Sequence, residues 1–155
     1  MTQKRLSMKA VEPEGYKAML AFENYLDALP LSTVHKDLIK IRASQINQCA
    51  YCIDMHTTDA RKAGEQEHRI YALSAWRETP FFSDDERAVL ALTEEVTLIS
   101  QRVSDNTYSE AVRVLGEKYT AQVILAIIGI NAWNRIGVAT NMMPALQNIP
   151  AVHEN

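Results

Sequence analysis

The chain has 155 residues, of which 47% are hydrophobic, and a formal net charge of −3 at pH 7. That is enough apolar material for one core, so a single domain over residues 1–155 is expected, with its centre at about 16–145. The acidic balance gives no basic surface for phosphates and argues against nucleic acid as a partner.

The first residues run into Val11-Glu12-Pro13-Glu14-Gly15, not into the apolar core of a secretory signal. The most apolar run, Val123 to Ile130, has eight residues. A bilayer span needs about 20. A soluble cytoplasmic protein without membrane contact is expected. No internal repeat or linker is visible, and helical periodicity replaces strand alternation throughout.

Tyr16 to Ala28 reads as a first helix, stopped by Leu29-Pro30-Leu31. Ser32 caps a second, whose apolar positions include Leu38, Ile41 and Ile46. Asn47 is both a good stop for that helix and a good N-cap for the next. In that arrangement Cys49 lies in the first turn of a third helix that runs to about Ala63, with Gly64 as its end signal. A shorter helix through His68 to Trp76 ends before Thr79-Pro80.

Ser83-Asp84-Asp85-Glu86 is a capping box, and Val89, Leu92, Val96, Ile99 and Val103 follow at helical spacing. Thr107-Tyr108-Ser109-Glu110 repeats the capping pattern ahead of a short helix ending at Gly116. Thr120 opens the last long helix, which continues to about Asn141 and is closed by Met142-Met143-Pro144. The expected fold is all-α, a compact bundle of roughly six or seven helices. The last helix is apolar nearly all round, which places it at the core centre and against a second subunit, hence a homo-oligomer.

Cys49 and Cys52 are the two cysteines of the chain, and His56 follows four residues later. Steps of three and four return to one helical face, so two sulfurs and an imidazole gather on one stripe. A Cys-x-x-Cys can be a redox dithiol, half of a zinc site or a coincidence. Structural zinc takes four ligands, and no second pair exists here. His35, His68 and His153 show no ligand spacing with it. The redox reading is the strongest, and no bound cofactor or metal is expected.

A helix N-terminus favours a thiolate, and His56 is in position to take the Cys52 proton as general base. Asp37 lies twelve residues before Cys49 on the preceding helix. If the two helices form a hairpin about Asn47, its carboxylate approaches His56; otherwise it is a solvated face residue. Arg42, Ser44, Gln45 and Asn47 read as capping and inter-helix hydrogen-bonding residues, and the methionines and tyrosines as packing; Trp133, Asn134 and Arg135 read as structural, the alternative being that they line the pocket or an interface.

The segment from Asp37 through Cys49-Ala-Tyr-Cys52-Ile-Asp-Met-His56, followed by Asp59-Ala-Arg-Lys-Ala-Gly64, resembles the core of the alkylhydroperoxidase D (AhpD)-like branch of the carboxymuconolactone decarboxylase superfamily. Ile130-Asn131-Ala132-Trp133-Asn134-Arg135 also resembles that family's C-terminal helix. The resemblance implies an all-α fold assembling as trimers or hexamers, and a disulfide-based hydroperoxide reductase.

By that analogy Cys52 attacks the peroxide, Cys49 resolves the sulfenic acid, and His56 and Asp37 belong to a proton relay. The implied electron donor is a dithiol or lipoylated protein. Two positions depart from AhpD: the relay carboxylate is Asp37 in place of a longer glutamate, and Tyr51 stands where AhpD proper has histidine. Two other functions fit the same residues. One is a thiol–disulfide adaptor or redox sensor without efficient peroxide turnover; the other is a decarboxylase-type lyase with His56 as base.

Overall fold

The computed structural model describes residues 5–145, and over them the chain is all-α, with eight helices. In order they are α1 (Met8–Val11), α2 (Pro13–Asp27), α3 (Thr33–Ile46), α4 (Ala50–Lys62), α5 (Glu67–Ala72), α6 (Asp84–Thr97), α7 (Asp105–Leu115) and α8 (Glu117–Ala139). Short 3₁₀ segments occupy Leu73–Glu78 and Ile99–Gln101.

α8 is the axis, packed against α2, α3, α4, α6 and α7. Its Val123 and Ile127 are fully buried with Ile39 of α3 and Val89 and Leu92 of α6. A second cluster forms on the other side of α3, where Leu38 and Ile41 meet Ala60, Leu73, Trp76 and Leu90. α3 is therefore buried on two sides and fixes the position of everything that follows it. By length and composition α8 could cross a membrane, which the eight-residue run did not suggest. Here it serves as the core helix.

Several boundaries differ from expectation. α1, which was not expected, brings the helix count to eight. α2 begins at Pro13, where proline at the first turn loses no hydrogen bond. The helix expected through Trp76 breaks after Ala72 into the 3₁₀ segment. α6 begins as read, with Glu86 accepting the Ser83 N–H at 2.9 Å. It stops at Thr97, so Ile99 and Val103 lie outside it.

The stop has a visible cause. Glu95 accepts the Ser104 N–H at 2.7 Å and the Thr107 hydroxyl at 2.7 Å, drawing the chain back towards α6, while Arg102 takes φ 71°. Ser104 thus caps α7, and Thr107 serves Glu95 instead of capping. Gly116, at φ 80°, turns the chain sharply enough for α8 to start at Glu117, ahead of Thr120.

Candidate functional site

The turn between α3 and α4 builds the site. Asn47 ends α3 as its C-cap and does not cap α4. Its side-chain amide is committed elsewhere, donating to Asn131 Oδ1 and Asn134 Oδ1, both at 2.9 Å. Asn134 in turn donates to Ser44 at 3.0 Å, and Ser44 to the Lys40 carbonyl at 2.7 Å. This network, entirely between α3, its C-cap and α8, locks the turn onto the core. Gln48 then reverses the chain at φ 54° and Cys49 itself becomes the N-cap of α4.

The first hydrogen bond of α4 runs from the Ile53 N–H to the Cys49 carbonyl. Cys52 therefore sits in the opening turn, where the positive end of the helix favours negative charge on sulfur. Cys49 and Cys52 are joined as a disulfide, with their Cα atoms 5.3 Å apart. Both are buried, at 2% and 3% exposure. α8 passes so close that a Cβ on Gly137 would stand 2.9 Å from the Cys49 sulfur and 3.5 Å from that of Cys52.

A cavity of about 220 Å³ opens between α2, α3, α4 and α8. Cys52 and His56 line it and Cys49 does not, so the two sulfurs are inequivalent towards anything that enters. Much of its wall is apolar: Leu20 and Leu26 from α2, Met55 from α4, and Ala126, Ile130 and Ile136 from α8. Tyr16, Tyr51, Trp133 and Met142 also line it, so these residues do more than pack. Trp133 stands edge-on to Tyr16, ring centroids 5.5 Å apart.

Charge enters the cavity as a pair. Lys40 Nζ lies 2.8 Å from Glu23 Oε1 and 3.6 Å from Asp27. Glu23 uses its second oxygen to accept the Trp133 Nε1–H at 3.0 Å. Burial works against the Lys40 ammonium, yet its hydrogen bond and attraction to Glu23 and Asp27 leave its pKa raised. Burial, followed by the Lys40 charge, pushes His56 down to about 4, against the opposing pull of Glu23 and Asp59. At neutral pH His56 is thus an uncharged imidazole.

Asp37 does not line the cavity, and it is not among the charges that move the His56 pKa. Burial raises its pKa, Lys40 opposes this, and Glu65 and Asp59 add to it. Arg42 and Asn47 do make the inter-helix bonds expected of them, Arg42 to Glu94 at 2.8 Å. Asn134 donates to Ser44 and Arg135 to the Asn131 carbonyl, while Arg135 also lines a second groove on the outer side of α8.

Lys40, Glu23 and Gly137 were not singled out from the sequence. Lys40 had one signal: a lysine set among Leu38, Ile39 and Ile41 interrupts an apolar run. No group of three or more His, Cys, Asp or Glu side chains among the described residues is arranged to hold a metal ion. His153 lies outside them.

Residues 13–95 match the carboxymuconolactone decarboxylase family. The chain belongs to that family. The uncharacterized protein YdfG of Bacillus subtilis is 47% identical to it over 136 residues, covering 87% of this chain and 92% of YdfG. A solved structure from Agrobacterium tumefaciens, ATU0492, is of unknown function and described as a candidate antioxidant defence protein AhpD. It superposes with a TM-score of 0.91 at 34% identity, covering 94% of this chain and all of that one. The debrominase Bmp8, with a TM-score of 0.78 and 19% identity over 86% of this chain and 72% of its own, shares the fold alone. This member of the family has the AhpD-like fold, and its bonded Cys49–Cys52 pair fits a redox role.

Proposed function

We propose that the protein is a thiol-dependent hydroperoxide reductase that cycles the Cys49–Cys52 disulfide. The observation that carries the reading is the asymmetry of the pair: the cavity meets Cys52 and leaves Cys49 behind it. The Cys52 thiolate attacks the terminal peroxide oxygen. An S–O bond forms as the O–O bond breaks, and the alkoxide leaves and takes up a proton to become the alcohol. The Cys49 thiol then attacks the sulfenic acid, releasing water and restoring the disulfide. A dithiol or lipoylated protein returns two electrons and two protons.

Neutral His56 accepts the Cys52 proton and passes it to the leaving oxygen, a role open to an imidazole that is not already charged. Asp37 enters as the outer carboxylate of that relay, reached through solvent. The likeness to ATU0492 supports an antioxidant role. A cytoplasmic location and assembly as a homo-oligomer, a trimer or hexamer, complete the proposal.

The test is consumption of an organic hydroperoxide by the protein with excess dihydrolipoamide. Turnover well above that of free dithiol, abolished by Cys52→Ser, is expected. An adaptor cycles its disulfide without such turnover, and a lyase keeps its activity when both cysteines are replaced.

A further inference from the structure

Lys40 and Glu23 form a partly buried ion pair on the wall of a largely apolar cavity, their side chains 23% and 21% exposed. Removing two charges from water costs several kcal/mol, and an apolar pair of similar volume often serves stability as well or better. The pair is nevertheless kept, and it faces the same space as Cys52. Glu23 is anchored from α8 by Trp133, so the ammonium is held from α2 and α8 together. His56, its pKa pushed down to about 4, holds the Cys52 proton only in transit and stands uncharged beside the resting thiolate at neutral pH.

The other charges around the cavity are committed or distant. Lys36 donates to the Asp27 backbone carbonyl at 2.7 Å, and Asp27 lies farther from Lys40 than Glu23 does. Asp59 acts on His56 from outside the cavity. α8 contributes no ionisable side chain to the wall.

We propose that Lys40, positioned by Glu23, is the cation that stabilises the Cys52 thiolate. This deepens the thiol reading and rests on Cys52 acting as a thiolate, but not on the identity of its oxidant. In an apolar cavity the attraction is little screened by water or salt. Lys40 thereby joins Cys49, Cys52 and His56 as a functional residue of the centre, and Glu23 acts through it.

The two halves of the ion pair make opposite predictions, which a purely structural pair cannot do. In the reduced protein carrying Cys49→Ser, one thiol titrates, and its rate of alkylation by iodoacetamide against pH gives the Cys52 pKa. Lys40→Met is expected to raise that pKa by about one, slowing alkylation about tenfold at pH values below it. Glu23→Gln removes the opposing charge but keeps an amide oxygen to accept from Lys40 Nζ, so the ammonium stays in place and the Cys52 pKa is expected to fall. Lys40→Arg keeps the charge and stays near the parent.

Shifts in the same direction for Lys40→Met and Glu23→Gln, or none in either, overturn the proposal. Should Lys40→Met fail to fold, the Glu23→Gln shift decides alone: a fall supports the proposal, and a rise or no change overturns it. Hydroperoxide turnover is measured separately. Opposite shifts without turnover remove the peroxidase and leave Lys40 in place.

Discussion

Gly137 sets how closely α8 approaches the sulfur pair. A methyl group there would meet the Cys49 sulfur at 2.9 Å, inside any ordinary contact distance. In the oxidised protein that sulfur is tied to Cys52, whereas in the reduced protein its side chain can rotate away. Gly137→Ala is therefore expected to cost the oxidised form about 1–3 kcal/mol and the reduced form less. Urea unfolding of both forms measures this, and equal losses would contradict it.

His56 gives a second residue-scale prediction. Its native pKa is depressed to about 4, while the unfolded chain titrates near 6.5. Between those values the unfolded state binds more protons, so stability is complete above about pH 6.5 and falls as pH drops towards 4. At pH 4.5 the loss is about 2–3 kcal/mol, and His56→Asn should flatten that part of the profile. An unchanged slope would mean that His56 titrates normally.

At the scale of elements, Glu94 is the clamp that α6 extends to its neighbours. It accepts from Arg42 of α3 at 2.8 Å, from Trp76 Nε1 of the 3₁₀ segment at 2.9 Å, and from Arg77. Removing one member of such a partly buried cluster weakens the rest, so Glu94→Gln is expected to lose about 1–3 kcal/mol by urea unfolding. A loss below about 1 kcal/mol would show that the cluster is solvated.

The α3–α4 hairpin and the capping box at Ser83 were legible because local rules govern them: a serine cap, helical spacing, a glycine stop. The ends that were misplaced depend on distant partners. Asn47 is a good N-cap by type, but two asparagines of α8 claim its amide, and α6 ends where Glu95 captures the next loop. The site was half legible for the same reason. Cys52 and His56 share one stripe of α4 with Cys49 as its N-cap, whereas Glu23, Lys40, Trp133 and Gly137 come together only when α2, α3 and α8 pack.

At the scale of the whole molecule, α8 is apolar on more sides than this chain covers. Ile128 is 48% exposed, and with Ile124 of the same helix it lines a groove shared with Val96, Ile99, Val103 and Tyr108. A face of this kind is what the proposed homo-oligomer would bury. Ile128→Glu places a charge in it and is expected to shift the protein to monomer in sedimentation. An unchanged assembly would put the interface elsewhere. The central claim is that Cys52 takes the oxygen and Cys49 removes it. Its most direct test is mass spectrometry of reduced protein given one equivalent of cumene hydroperoxide in the presence of dimedone. Cys49→Ser should trap a dimedone adduct on Cys52, and Cys52→Ser should give none; an adduct on Cys49, or none in either variant, would contradict the account.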